Sequence, residues 1–141
     1  MIVLDTNVIS ELMRTVPDDT VVNWLNAQTD TALFTTSTTV MELRFGLERL
    51  PEGKRKSDLW IVLDFTLSRV VGPRILPFDE AAAIEAARIA AEAETSGTPI
   101  GQADAQIAGI AQTHGFVVAT RDIAPFQHAG LIVINPWNTL S

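Results

Sequence analysis

The chain has 141 residues, with 17 acids against 10 bases and a formal net charge of −7. Apolar residues make up 47%, enough for a substantial core, so wholesale disorder is excluded. The absence of cysteine excludes a disulfide scaffold, a thiolate zinc site and a cysteine nucleophile.

In chain order, Ile2-Val3-Leu4 is a short buried strand by its β-branched content, and Thr6 to Met13 reads as helix. Asp18 and Asp19 open a second helix through Val21, Val22, Trp24 and Leu25, whose spacing gives one apolar face. Leu33, Phe34, Thr35 and Thr36 suit a second strand. Ser37 or Thr39 then caps a helix with Val40, Leu43, Leu47 and Leu50 on its inner face. Pro51-Glu52-Gly53 breaks it, and the basic triplet Lys54-Arg55-Lys56 reads as an interhelical loop before a helix containing Leu59, Trp60, Leu63 and Leu67. Gly72-Pro73 ends that helix, and Arg74 to Pro77 is a brief strand. Asp79 caps an Ala-rich helix to about Thr95, and Ser96-Gly97-Thr98-Pro99 breaks it. Gly101 to His114 is helical, with Gly115 placed as a terminating glycine. Phe116–Ala119 and Leu131–Ile134 are the last strands, the second stopped by Asn135-Pro136.

Five short apolar strands separated by helices, without tight hairpin signals, predict an α/β fold. The expected form is a parallel five-stranded sheet covered on both faces, in one domain over residues 1–141. Ligands of such sheets bind beyond the carboxyl ends of the strands. Four acids fall near those ends or at helix starts. Asp5 ends the first strand, Glu42 lies a turn into the helix after the second, Asp104 opens the helix before the fourth, and Asp122 follows the fourth. Each also has a plain structural reading. Asp5 and Asp122 are candidate helix caps, Thr39-Val40-Met41-Glu42 matches a capping box, and Asp104 complements a helix dipole.

Jointly they imply more. Two carboxylates about 4 Å apart repel by about 4 kcal/mol at an effective dielectric of roughly 20. Converging acids therefore need a cation, and the only adjacent base is Arg121. Oxygen donors without Cys or a well-placed His point to Mg²⁺ or Mn²⁺ rather than zinc.

Asp5-Thr6-Asn7 after the first strand, Glu42 within Val40-Met41-Glu42-Leu43, Asp104 within Ala103-Asp104-Ala105-Gln106-Ile107-Ala108, and Val118-Ala119-Thr120-Arg121-Asp122 together resemble the PIN domain. Arg74 to Asp79 and Asn135-Pro136-Trp137 resemble its toxin branch, the VapC-like and FitB-like proteins of type II toxin–antitoxin systems. The resemblance implies a three-layer α/β/α PIN-like domain and a Mg²⁺- or Mn²⁺-dependent endoribonuclease that leaves 3′-hydroxyl and 5′-phosphate ends. It also implies inhibition by a cognate antitoxin, and a homodimer or higher toxin–antitoxin assembly. Carried over by position, Asp5, Glu42, Asp104 and Asp122 are the metal-site acids, Thr120 is the hydroxyl beside the metal or its water, and Asn7 is a polar orienter. Many members read Thr-Arg-Asn with an acid three residues later, where this chain has Pro125; here Asp122 supplies the fourth acid.

Other features bound the partners. A pI near 4.6 argues against holding RNA by a broad basic surface, although a nuclease can bring its positive charge as metal. Lys54-Arg55-Lys56 is either a solvated surface or a set of phosphate contacts. The apolar residues between Val40 and Val71, including Phe45, Trp60 and Phe65, are either core or a dimer or antitoxin seam. Trp24, Trp60 and Trp137 read as core or interface anchors, and His114 and His128 as non-catalytic. No apolar run approaches the roughly 20 residues of a membrane helix. The opening residues carry no basic n-region, so the expected location is the cytoplasm. The rival to the enzyme is a catalytically silent PIN-like binding module acting through an antitoxin–DNA complex. A phosphoacceptor receiver domain fits poorly, because neither Lys nor Arg follows Asp122.

Overall fold

Alternation along one short strand sets the layering. In the computed structural model, which describes residues 1–138, β1 (Ile2–Leu4) is buried at all three positions. Ile2 and Leu4 join one core cluster and Val3 the other, as the two-residue period of a strand requires. Burying such side chains contributes roughly 1.5–3 kcal/mol each, so a one-residue slip of β1 would oppose both layers at once.

The elements follow as α1 (Thr6–Leu12), α2 (Asp19–Asn26), β2 (Leu33–Thr36), α3 (Ser37–Glu48), α4 (Lys54–Val70) and β3 (Ile75–Leu76). Then come α5 (Glu80–Thr95), α6 (Gln102–His114), β4 (Val117–Ala119), α7 (Ile123–His128) and β5 (Val133–Ile134). Every strand pair is parallel, in the order β3-β2-β1-β4-β5. Helices α1 to α4 supply one core with Val8, Ile9, Val21, Trp24, Leu47 and Leu63; α5 to α7 supply the other with Ile89, Ile107 and Phe126. The sheet is therefore the middle of three layers, as expected. The predicted boundary at Ser141 lies outside the described residues.

The strand order has a functional consequence. From β1 the chain winds outward through β2 and β3, then returns to place β4 on the other side of β1. The direction of winding reverses between β1 and β4, and at such a switch the following loops part to leave a crevice.

Several local expectations need correction. The cap of α3 is Thr36, whose hydroxyl accepts from the Thr39 amide at 3.0 Å, so neither Ser37 nor Thr39 caps and no Thr39–Glu42 capping box forms. Asp122 occupies the N-cap position of α7 without a side-chain capping bond. The basic triplet is not a loop; it opens α4, and Lys56 is buried, donating to the Glu52 carboxylate at 2.6 Å and the Glu48 carbonyl at 3.2 Å. Its methylenes pack inward while the ammonium is internally satisfied, so Lys56 is no RNA contact. The third, fourth and fifth strands are shorter than expected, and a short 3₁₀ turn at Asp30–Ala32 precedes β2. The predicted caps Asp18 and Asp79 are in place, and Gly115 terminates α6 with a positive φ of 69°.

Helices α5 and α6 approach closely at Gly109, where an added Cβ would lie 2.5 Å from the Ala82 carbonyl oxygen and 2.8 Å from the Ala86 amide nitrogen. Both obstacles are backbone, so accommodation requires moving a helix. We predict that Gly109→Val lowers stability by about 3 kcal/mol or more, since overpacking commonly costs about 1–3 kcal/mol. Thermal and urea denaturation check this, and a melting curve like that of the unaltered protein would contradict the close approach.

Candidate active site

The crevice is built from chain segments that leave β1 and β4. Parallel pairing of Leu4 with Ala119 brings the next residues level, and the pairing is extended by the Asp5 amide donating to the Ala119 carbonyl at 3.0 Å. Asp5 is 5% exposed and caps α1, with Oδ1 accepting from the Thr6 amide at 2.7 Å. Its Oδ2 accepts from the Thr120 hydroxyl at 2.8 Å. Thr120 is fully buried, and its oxygen also accepts from Asn7 Nδ2 and from the Asp122 amide, each at 3.1 Å. One donor and two acceptor sites use the whole capacity of a hydroxyl. In this arrangement Thr120 fixes the Asp5 carboxylate.

Asn7 completes the tie between the two segments. Its amide nitrogen goes to Thr120 and its Oδ1 accepts from the Arg121 backbone amide at 3.3 Å. Glu42 reaches the crevice from α3, and its Oε1 accepts from the Thr6 hydroxyl at 2.6 Å. Thr6 thus links two acids: its amide holds Asp5 and its side chain holds Glu42. Thr6 is not among the site residues expected from the sequence. Its place in the Asp5-Thr6-Asn7 tripeptide, next to a capping acid, was the available signal.

Asp104, in the first turn of α6, is half-buried, and Asp122 is exposed. Burial first, then the negative charges of Asp5, Asp122 and Glu42, push the Asp104 carboxyl up to about 6. Burial also raises Asp5, against hydrogen bonds from Thr120 and Thr6 and with repulsion from Glu42 and Asp122. Six expected site residues therefore fall in one region: Asp5, Asn7 and Thr120 by direct hydrogen bonds, Glu42 through Thr6, and Asp104 and Asp122 through the electrostatic coupling of the acids. None of the four acids takes part in an ion pair among the described residues. No three His, Asp or Glu side chains among them are drawn into a ready-made metal cage. Neither His114 nor His128 contributes a hydrogen bond to the crevice; His114 instead lies against the Phe116 ring.

The sequence profile of the PIN domain matches residues 2–130. The chain belongs to the PIN-domain family. The VapC ribonuclease Y4jK of Sinorhizobium fredii is 50% identical over 137 residues, covering 97% of this chain and 98% of the relative. Toxin FitB of Neisseria gonorrhoeae is 43% identical over 138 residues, covering 98% of this chain and 99% of that protein. The crystal structure of FitAcB from Neisseria gonorrhoeae superposes with a TM-score of 0.90 at 42% identity, over 99% of this chain and all of that one. These relatives set the chain in the VapC and FitB branch of the PIN-domain family. Among the described residues no helix is long and apolar enough to cross a membrane.

The charge of this PIN-domain site predicts a pH dependence of stability. Asp104 ionises at 3.8 when unfolded and at about 6 when folded. The folded state thus holds its proton longer. The contribution of Asp104 to stability is greatest below 3.8, falls as pH rises toward about 6, and then levels off. In metal-free buffer the urea midpoint should follow that course, and Asp104→Asn should flatten it. A midpoint that rises over this window would contradict the coupling.

Proposed function

We propose that this protein is a metal-dependent endoribonuclease toxin that hydrolyses RNA phosphodiester bonds and is neutralised by a cognate antitoxin. The observation that carries this reading is the gathering of Asp5, Glu42, Asp104 and Asp122 with no cationic side chain paired to them among the described residues. A site that lifts a carboxyl to about 6 through burial and like charge is poorly tuned for stability but well tuned for a divalent ion. The ribonuclease name of the Sinorhizobium fredii relative and the toxin name of FitB favour the same chemistry.

The donors fit Mg²⁺ or Mn²⁺, because all four are hard carboxylate oxygens. Asp5 and Asp104 would hold the main ion and Glu42 a ligand position or a water, while exposed Asp122 would engage once substrate phosphate is present. A divalent ion bound there supplies Lewis-acid charge and activates water for phosphodiester hydrolysis. The protein's own contribution is orientation. Thr120 and the Thr6 amide hold the two Asp5 oxygens, the Thr6 hydroxyl holds Glu42, and Asn7 ties the β1 and β4 loops together.

Neutralisation has a physical basis in the neighbouring surface. A groove of about 810 Å³ runs between α1, α3 and the start of α4, lined by Met13, Val16, Leu43, Leu47 and Leu59, with Glu42 on its wall. An amphipathic antitoxin segment lying there would be positioned to send a basic side chain toward the acids and displace metal. Met41, Phe45, Ile61 and Phe65 remain more than half exposed on α3 and α4, and supply apolar area for a homodimer or a larger toxin–antitoxin assembly.

The test is cleavage of mixed structured and single-stranded RNAs by antitoxin-free protein in Mg²⁺, Mn²⁺ or EDTA. Cleavage should require metal and vanish in Asp5→Asn, which keeps the α1 cap because Asn is as good an N-cap as Asp. Full activity of folded Asp5→Asn, or activity in EDTA, would overturn the reading. Thr6→Val removes a positioning hydroxyl and should weaken Mn²⁺ binding about 10–100-fold by calorimetry, the usual effect of losing a ligand's hydrogen-bond partner.

A further inference from the structure

An acidic crevice repels its own polyanionic substrate, so the source of positive charge for the RNA backbone is a real problem in a chain of net charge −7. The metal would neutralise the scissile region, but flanking phosphates need separate partners. Within the basic triplet, Lys54 pairs with Asp58 and Lys56 is buried against Glu52. Arg14, Arg44 and Arg88 are each paired with carboxylates.

Arg49, Arg55, Arg69, Arg74 and Arg121 take no part in an ion pair among the described residues, and of these Arg121 is the one that adjoins the crevice in the chain. It lies between Thr120 and Asp122, its backbone amide is held by Asn7 Oδ1, and its side chain is exposed. Among the described residues no carboxylate stands within ion-pair distance of its guanidinium. The guanidinium instead lies over the Trp137 ring, with Cζ 4.9 Å from the centroid. Sheet topology produces this contact. Ala119 pairs with Ile134, and the Thr120 amide donates to the Ile134 carbonyl at 2.9 Å. The turn after β5 then brings Trp137 level with Arg121. In that turn Asn135 Oδ1 accepts from the Trp137 amide at 2.9 Å, and the Asn138 amide donates to the Asn135 carbonyl at 3.1 Å.

A guanidinium over an aromatic ring is attracted to the face of the ring without using its N–H groups in hydrogen bonds, so they stay available as donors. These are the donors that bind phosphate oxygens in a fork, and the indole restrains a side chain that would otherwise lose rotamer freedom on binding. The pair lies beyond the carboxyl ends of β4 and β5, one strand to the side of the β1–β4 crevice. We propose that Arg121, held by Trp137, is a substrate-binding residue that grips an RNA phosphate flanking the scissile one. This rests on the ribonuclease reading and adds to it the residue that offsets the site's negative field.

The test is fluorescence anisotropy of labelled, mixed-sequence single-stranded RNA over a salt series, with Ca²⁺ in place of Mg²⁺ or Mn²⁺ so that binding is read apart from cleavage. Arg121→Ala should weaken binding about tenfold, the scale of a lost charge-assisted hydrogen bond. It should also flatten the slope of log affinity against log salt by about 0.7, the contribution of one phosphate contact on a single strand. Arg121→Lys should keep the slope and lose part of the affinity. Trp137→Leu should weaken binding less than Arg121→Ala, with an unchanged circular dichroism spectrum. Unchanged affinity and slope in folded Arg121→Ala overturns the proposal even if metal-dependent cleavage is normal, as does a lack of RNA binding by the unaltered protein. Arg121-dependent binding without any cleavage in Mg²⁺ or Mn²⁺ supports the phosphate contact and overturns the ribonuclease reading instead.

Discussion

The crowding of like charge at the carboxyl ends of β1 and β4 is the constraint to which the rest of the molecule answers. Carboxylates that each have a plain use elsewhere, as a cap or a dipole partner, are here drawn into range of one another. The result is visible in Asp104, whose carboxyl is lifted to about 6 by burial and by Asp5, Asp122 and Glu42. A fold selected for stability alone would separate these groups or insert a lysine between them. The chain instead invests neutral hydrogen bonds, from Thr6, Asn7 and Thr120, in keeping the acids where they are.

Those neutral residues explain how a strained charge arrangement is held by so small a sheet. Strands β1 and β4 have three residues each and cannot by themselves fix the loops that follow. The Thr120 hydroxyl gathers bonds from three directions, joining Asp5, Asn7 and the start of α7 into one polar knot at the carboxyl ends of β1 and β4. Thr6 extends the knot to α3. No buried side-chain polar atom among the described residues lacks a hydrogen-bond partner. Buried polar groups in such networks specify geometry more than they add stability, because leaving any one unpaired would be costly.

The surface divides by the same logic. Four carboxylates without a paired cation among the described residues meet in the crevice. Most of the arginines are engaged by carboxylates or lie over aromatic rings: Arg44 over Trp60, Arg49 over Phe45, Arg69 over Phe65 and Arg121 over Trp137. Arginine on an exposed aromatic both shields apolar area and keeps its donors available, which suits a surface that meets another macromolecule. Helices α3 and α4 carry three of these stacks together with exposed Met41 and Ile61.

Much of this was legible in the residues. Five β-branched runs between amphipathic stretches determined a parallel α/β sheet, because side-chain period and the need to bury both sheet faces leave few alternatives. Asp5, Glu42, Asp104 and Asp122 stood out because acids placed after strands and at helix starts have a limited set of uses. Chemistry local to the chain was read well, as with the caps Asp18 and Asp79 and the terminating Gly115. What depended on partners distant in sequence was not. The Thr39–Glu42 capping box does not form because α3 begins at Ser37 with Thr36 as its cap, and Glu42 accepts instead from the Thr6 hydroxyl, 36 residues away. The basic triplet was misread because the burial of Lys56 depends on how α4 folds back on the end of α3. The stacking of Arg121 on Trp137 is set by the register of β4 against β5, which no local pattern encodes. Sequence alone determined which chemical groups are available and which element carries each; only the tertiary structure decided which of them meet, because hydrogen bonds, charge repulsion and stacking act over a few ångströms of space and not along the chain.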